Sequence, residues 1–145
     1  MESRGDRFIP QIQPTITKLE VDRVAAAVQS TWITEANETR QFEKWFSDVS
    51  GRPTTSYCNG TAALLSIGQI LKMRLGALNV AVPNMTFISS MSPFLMLDAQ
   101  ITLLDVDQVT GQLDDSRLSE IPAEVNVLVL PILYGSVCDI EKVTG

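Results

Sequence analysis

The segment from Asn59 to Ala62 is the first candidate for binding a phosphate group. It joins a short β-prone stretch to a helical pattern, so free backbone N–H groups and the positive end of a helix dipole are expected there. Gly60 would let the backbone approach a ligand closely, and the Thr61 hydroxyl would add a donor. On local chemistry alone a structural role is favoured, because Asn-Gly is a common turn and Thr a common helix cap.

Aromatic and acidic residues follow the next two predicted strands. Phe87, in the segment Pro83–Phe87, could stack on a flat ligand ring, although core packing is the commoner role of a lone phenylalanine. Asp105 and Asp107 could bind a metal ion or act as acid and base. Because no further acidic ligand stands nearby, turn capping is the favoured role of this pair, and no metal site is predicted.

A third candidate is the short run Trp32, Ile33 and Thr34, which lies in a polar stretch that reads as a loop. An exposed tryptophan there could contact a substrate or a partner. Packing of Trp32 against the helix that holds Trp45 explains the residue at least as well. The two interpretations stay open at this point.

The elements that must position these residues alternate between helical and strand patterns, which favours an α/β fold. Residues 1–16 are predicted to be an extended N-terminal arm, because Pro10 and Pro14 oppose a helix. A capping-box pattern at Thr17–Glu20 starts a first helix. Apolar residues at helical spacing predict a second helix, ended by Gly51, with its apolar positions at Phe42, Trp45, Phe46 and Val49.

Beyond residue 53 the predicted order is β-α-β-α-β-α-β. The strands are expected at 54–58, 80–82, 101–106 and 125–130, and the helices at 61–75, 86–97 and 115–120. Crossovers of this kind give a mainly parallel sheet, and ligands bind at the carboxyl ends of its strands. That rule selects four segments: Asn59–Ala62, Pro83–Phe87, Asp105–Asp107 and Leu133–Gly135.

Composition excludes several classes of protein. The chain has 145 residues, 45 % apolar and 19 % charged, as in ordinary globular domains, and its net charge of −6 disfavours nucleic-acid binding. No apolar run reaches the roughly 18 residues of a membrane span, and no signal peptide is visible, so we expect a cytoplasmic protein without a membrane partner. The absence of histidine excludes Ser–His and Cys–His pairs. Cys58 and Cys138 are expected to be reduced thiols in or near the core.

From Ile9-Pro10 to its end, the chain resembles the DegT/DnrJ/EryC1/StrS family of sugar-nucleotide aminotransferases. The resemblance rests on ordered blocks at suitable spacing rather than on any single motif. These blocks are Ser30–Thr34, Phe42-Glu43, Asn59–Leu64, Val82-Pro83 with Thr86-Phe87, Asp105–Asp107, and Leu133–Gly135 with Asp139. The resemblance implies that residues 17–145 are the N-terminal, incomplete part of the large domain of a fold-type I pyridoxal-phosphate transferase. This domain has a mainly parallel sheet and flanking helices.

The resemblance also implies roles for individual residues. Gly60, Thr61 and Ala62 would help to hold the phosphate of pyridoxal 5'-phosphate, and Phe87 would stack on its pyridine ring. The segment Trp32–Thr34 would line the substrate site. The family moves an amino group, usually from glutamate, to a keto-sugar carried on a nucleoside diphosphate, and it works as a homodimer.

Departures from the family pattern qualify this expectation. The family's Schiff-base lysine lies beyond Gly145, so no residue of this chain is assigned as catalytic and the chain alone is expected to be inactive. Thr31 stands where the family usually has glycine, and Ile132 where it often has histidine. Two alternatives remain: a pyridoxal-phosphate-dependent sugar dehydratase of the same family, and a truncated relative with a binding or regulatory role.

Overall fold

The computed structural model describes Pro10, residues 12–135 and Asp139, and the chain divides after Ser56 into two compact units. The helices are α1 (Lys18–Gln29), α2 (Asn37–Ser50), α3 (Gly60–Leu75) and the short α4 (Ser92–Leu95). The strands are β1 (Asn79–Pro83), β2 (Gln100–Leu104) and β3 (Val127–Leu128), and 3₁₀ turns cover Ile88–Ser90 and Asp115–Glu120.

The first unit contains the two helices predicted from capping and periodicity. The Thr17 hydroxyl accepts from the Leu19 N–H at 3.2 Å, and the Glu20 carboxylate accepts from the Thr17 N–H at 2.6 Å, so the predicted capping box is confirmed. The helix α2 ends at Gly51, whose φ of 69° is the left-handed conformation that glycine adopts most easily. Its apolar residues form one stripe, in which the Phe46 ring meets those of Phe42 and Trp45 edge-on.

The second unit is built on a parallel sheet with the strand order β2-β1-β3. Its central strand β1 is apolar and buried from Val80 onward, with Val80, Ala81 and Val82 at 0 % exposure. Crossover connections return each strand in the same direction, as predicted for an α/β chain. The register sets Val80 opposite Ile101 on one side and Val127 on the other.

The core of this unit lies between the sheet and the helix α3. Phe94 in α4 is 1 % exposed and packs with Leu78, Val80 and Ala99. Gly68 in the middle of α3 makes that packing possible, because a Cβ there would lie 3.3 Å from the Phe94 ring and 2.8 Å from the Leu97 Cδ1. The close approach fixes α3 against α4.

The strand predicted at 54–58 is not formed. Side chains of α2 bind this segment instead: the Thr54 N–H donates to the Ser47 hydroxyl at 3.0 Å, and the Ser56 N–H donates to Glu43 at 2.8 Å. A strand needs a neighbour to satisfy its backbone groups, and within the described chain this segment pairs with none. The β-prone pattern of residues 54–58 was therefore not sufficient to make them a strand.

Other predicted elements exist but are shorter. The helix expected over 86–97 is broken into the 3₁₀ turn Ile88–Ser90 and α4. Pro93 lies in the first turn of α4, as expected of a residue that disrupts a helix interior but suits its first turn. The last strand has only two paired residues. The prediction that both cysteines lie near the core is wrong for Cys58, which is exposed, while Cys138 lies outside the described residues.

No helix in the described part of the chain combines the length and apolar character needed to cross a bilayer.

We predict that Phe94→Ala lowers the free energy of unfolding by about 3–5 kcal/mol, because it leaves a cavity in the tightest part of the core. The adjacent Leu95→Ala is the control, since Leu95 is half exposed and its truncation should change stability by under about 1 kcal/mol. Denaturant unfolding of both variants measures the difference. Equal losses would show that the packing of Phe94 does not hold the unit together.

Candidate functional site

The candidate phosphate site begins at the N-terminus of α3, which Asn59 caps. The Asn59 Oδ1 accepts from the Ala62 N–H at 2.9 Å, and the Asn59 carbonyl accepts from the Ala63 N–H. The residue that caps this helix is therefore Asn59. The sequence pattern had indicated Thr61 as the cap, and the structure corrects that interpretation. Because the cap occupies the Ala62 N–H, the donors left for a ligand are those of Gly60 and Thr61.

Gly60 leaves open space at this helix end. A Cβ placed on Gly60 would meet no atom within 4 Å, so its lack of a side chain is not required by packing within the described chain. Both Gly60 and Thr61 are exposed, and α3 is long enough for its dipole to favour an anion at this end. A phosphate group therefore fits the junction in space, hydrogen bonding and charge.

The direction of α3 brings this junction to the carboxyl end of the sheet. The helix ends at Leu75 and the chain enters β1 at Asn79, so α3 runs opposite to β1 and its N-terminus points toward the end where β1 finishes. The segment that carries Phe87 leaves β1 at that same end. Phe87 is 72 % exposed, which argues against the core role that is commoner for a lone phenylalanine, and its ring is available to a flat ligand. The described residues thus fit the phosphorylated ring that the resemblance implies.

Hydrogen bonds hold the segment between β1 and Phe87. The Asn84 N–H donates to the Leu104 carbonyl at 2.8 Å, and the Asn84 side chain donates to Asp105 Oδ1 at 3.0 Å. On either side of Phe87, the hydroxyls of Thr86 and Ser90 share a hydrogen bond of 2.9 Å. The segment is therefore tied at both ends although little of it is buried.

The two aspartates at the end of β2 play different roles. Asp107 caps a turn, because its Oδ1 accepts from the N–H groups of Val109 and Thr110 and from the Thr110 hydroxyl, as predicted. The Thr110 bonds hold the pKa of Asp107 below its usual value. Asp105 instead pairs with Arg117, so the turn-capping role favoured for both aspartates is wrong for Asp105.

A buried glutamine supports the fourth predicted segment, Leu133–Gly135. Gln112 is 4 % exposed and its side-chain amide donates to the Leu133 carbonyl at 3.0 Å. Tyr134 follows with an exposed ring and a positive φ of 56°. The sequence pattern does not distinguish Gln112 from an ordinary polar turn residue, because it follows Gly111. Only the fold places Leu133 next to it.

The structure explains how the chain passes from α1 to Trp32. The Ser30 hydroxyl donates to the Ala27 carbonyl at 2.7 Å and accepts from the Trp32 N–H at 3.2 Å. It therefore bridges two backbone groups that bond directly to each other in the Schellman ending of a helix. Thr31 occupies the position usually held by glycine there, with a φ of 65°, which strains a β-branched residue.

Trp32 and Ile33 project from this helix end and are 72 % and 73 % exposed. The exposure argues against packing of Trp32 into an interior, and Trp45 makes its ring contact with Phe46 instead, at 4.8 Å. A surface cleft of about 560 Å³ lies beside Trp32 and is also lined by Ser30, Glu35 and Arg40. A ligand with apolar and polar groups could enter this cleft.

Glu43 connects α2 to the extended segment that precedes Asn59 in the sequence. Its Oε1 accepts from both the N–H and the hydroxyl of Ser56, each at 2.8 Å. These bonds hold the pKa of Glu43 below its usual value, the backbone bond having the larger effect. Of the pair Phe42-Glu43, which contributes to the family resemblance, Glu43 therefore has a structural role: it holds the extended segment at Ser56.

Comparison with known proteins gives a consistent result. The sequence model of the DegT/DnrJ/EryC1/StrS aminotransferase family matches residues 14–145. The GDP-perosamine synthase of Escherichia coli O157:H7 is 30 % identical over 140 residues, which are 94 % of this chain and 38 % of that protein. The chain therefore spans about two fifths of the length of this relative.

Solved structures agree with the sequence match. Spr1654 of Streptococcus pneumoniae, named as a sugar aminotransferase and solved in its PLP form, gives a TM-score of 0.81 at 31 % identity, covering 92 % of this chain and 34 % of that one. GDP-4-keto-6-deoxy-D-mannose-3-dehydratase of E. coli gives 0.78 at 19 % identity, covering 92 % and 36 %, and shows the fold alone. The likenesses confirm the predicted fold class, a partial fold-type I large domain.

Replacing Thr31 by glycine is expected to stabilise the protein by about 0.5–1 kcal/mol, because glycine removes the strain of a β-branched residue at positive φ. The same change at Thr39, inside α2, is the matched control and should destabilise by about 0.4–1 kcal/mol, since the backbone there is helical. Denaturant unfolding measures both. If the two changes had the same sign, strain at Thr31 would be refuted.

The bonds to Glu43 predict a dependence of stability on pH. Since the folded pKa is below the unfolded value of about 4.5, the stabilisation is fully present above that pH and is lost as the pH falls through the folded pKa. Glu43→Gln should therefore flatten the acid side of the profile of unfolding free energy against pH. Glu38→Gln, in the first turn of the same helix, controls for the loss of one charge. An unchanged acid slope in Glu43→Gln would contradict the assignment.

Proposed function

This chain belongs to the DegT/DnrJ/EryC1/StrS aminotransferase family, and we propose that the protein carrying it transfers an amino group to a nucleotide-linked keto-sugar with pyridoxal 5'-phosphate as cofactor. An amino acid, with glutamate the first choice, supplies the amino group. The proposal draws on the 30 % identity to a GDP-perosamine synthase. The observation that carries it is the uncapped pair of N–H groups at Gly60 and Thr61, at the same end of the sheet as the exposed ring of Phe87.

The residues of this chain would bind and orient the cofactor. The N–H groups of Gly60 and Thr61, with the Thr61 hydroxyl, would donate to its phosphate. Ala62 takes part through the turn, because the Asn59 cap on its N–H holds the two free donors in place. Phe87 would stack on the ring and limit its tilt. The cofactor supplies the electron-accepting ring, while the protein supplies its position.

The substrate site is proposed to include Trp32, Ile33 and Thr34. The exposed indole of Trp32 and the side chain of Ile33 offer apolar contacts, and the cleft beside Trp32 carries charged groups at Glu35 and Arg40. Such a mixture suits a sugar nucleotide, which has flat, polar and anionic parts.

The residues 17–145 would form the N-terminal part of the large domain, preceded by the arm 1–16.

The assembly and location of the protein are also proposals. We propose a homodimer in the cytoplasm because the resemblance to the family implies both. We expect no nucleic-acid partner.

A sugar dehydratase of the same family is the second candidate. The TM-score of 0.78 to the E. coli dehydratase at 19 % identity reflects a shared fold and does not favour its reaction, whereas identity to the aminotransferases is 30–31 %. A non-catalytic relative is the third candidate. The identities favour the aminotransferase.

The activity is tested with the complete protein that carries this chain. With pyridoxal phosphate bound, addition of glutamate should shift the visible absorbance band of the cofactor to that of pyridoxamine phosphate, and a GDP-linked keto-sugar should restore the original band. An aminated sugar must appear in the product. Loss of a sugar hydroxyl without amination would establish the dehydratase instead, and absence of any cofactor band would refute both.

The phosphate site predicts opposite effects of one substitution on stability and binding. Gly60→Asp should leave stability unchanged or raise it by about 0.3–1 kcal/mol, because the position has space and a carboxylate suits a helix N-terminus. It should weaken binding of pyridoxal phosphate by about 10-fold or more, because the carboxylate repels the phosphate. Absorbance titration and denaturant unfolding measure the two effects.

The control is Gly60→Asn, which has nearly the same shape without the charge. It should weaken binding less than Gly60→Asp does. If the two variants bound the cofactor as tightly as the natural protein, the phosphate would not lie at the N-terminus of α3.

A further inference from the structure

We propose that Asp105 is a positioning residue for the cofactor ring: it binds the side chain of Asn84 and so fixes the segment that presents Phe87. The inference rests on the proposed function, since it concerns how the chain holds pyridoxal phosphate. Asp105 touches neither cofactor nor substrate in this assignment and acts through its neighbour.

The segment that carries Phe87 needs such support because burial does not provide it. The buried strand β1 ends at Pro83, and Asn84, Met85 and Phe87 that follow are all exposed. An exposed ring on an exposed backbone samples many conformations, and fixing it would cost binding free energy when the cofactor is bound. Hydrogen bonds are the remaining means of holding the segment in advance.

The parallel register brings Asn84 and Asp105 together. Pro83 of β1 lies opposite Leu104 of β2, and the ladder continues for one more bond from the Asn84 N–H to the Leu104 carbonyl. Asn84 and Asp105 are thus the first residues beyond the paired strands. Their side chains meet in a hydrogen bond of 3.0 Å from the amide Nδ2 to the Oδ1.

Asp105 is itself held at its second oxygen. Its Oδ2 accepts from Arg117, and the other guanidinium nitrogens of Arg117 donate to Glu120 at 2.7–3.1 Å. The carboxylate is therefore fixed through both oxygens and cannot turn away from Asn84. The ion pairs are partly exposed, so they orient the carboxylate more than they stabilise the protein.

The alternative is that this network only stabilises the edge of the sheet. A stabilising role would lower the free energy of unfolding without a special effect on the ring of Phe87. A positioning role makes the effect of Asn84 and Asp105 on cofactor binding depend on the presence of that ring. A double-mutant cycle separates the two.

The experiment uses the complete protein and pyridoxal phosphate as the probe. Asn84→Ala and Asp105→Ala should each raise its dissociation constant by about 3- to 10-fold and reduce the induced circular dichroism of its visible band. In a Phe87→Ala background neither change should weaken binding further. Asp105→Asn, which keeps an oxygen for Asn84, should restore most of the affinity.

Asp98→Asn is the matched control. Asp98 pairs with Lys72 at the amino end of the sheet, so its substitution removes an aspartate charge from an ion pair without touching the Phe87 segment. It should leave cofactor binding unchanged. Denaturant unfolding of every variant shows that each one folds.

The outcomes separate this inference from the proposed function. If the natural protein binds pyridoxal phosphate and Phe87→Ala weakens that binding, but Asn84→Ala and Asp105→Ala do not, the positioning role is refuted and the proposed function stands. Equal effects of Asp105→Ala with and without Phe87 would also refute it. If the natural protein did not bind the cofactor, both proposals would fail.

Discussion

The burial of β1 is the constraint on which the second unit depends. Val80, Ala81 and Val82 are closed off from water, which requires a neighbouring strand on each side and a helix packed against the sheet. Gly68 lets α3 come close to the side chains of Phe94 and Leu97, which belong to the core beside this layer. Because α3 must run opposite to the strand it precedes, its free N–H groups and the segment that carries Phe87 point to the same end. The position of the candidate site is thus a consequence of how the core is covered.

That end of the sheet is held by polar contacts rather than by packing. The Asn59 cap, the pairing of Asn84 with Asp105 and the bond from Gln112 to Leu133 each tie one of the exposed segments to the body of the unit. Hydrogen bonds can fix direction without filling the space that a ligand would take. A site built this way stays open and still has a defined shape.

The first unit shows a helix ending that tolerates an unfavourable residue. Thr31 adopts a left-handed conformation, and the Ser30 hydroxyl bridges the Ala27 carbonyl and the Trp32 N–H. Strain of this kind persists only where the surrounding structure over-determines the backbone, and it is concentrated at functional segments. Its place directly before Trp32 agrees with the substrate role proposed for that loop.

The sequence alone determined the helices α1, α2 and α3 and the caps at Thr17 and Gly51, because capping and periodicity depend on residues only a few positions apart. It also pointed to Gly60, Thr61 and Phe87 through the rule for strand ends. Tertiary structure decided which β-prone segments became strands, since residues 54–58 were bound by Glu43 and Ser47 instead. It alone brought Asn84 to Asp105 and Gln112 to Leu133. Those contacts join residues 21 positions apart, and only the register of the sheet and the path of the loops bring them within hydrogen-bond distance.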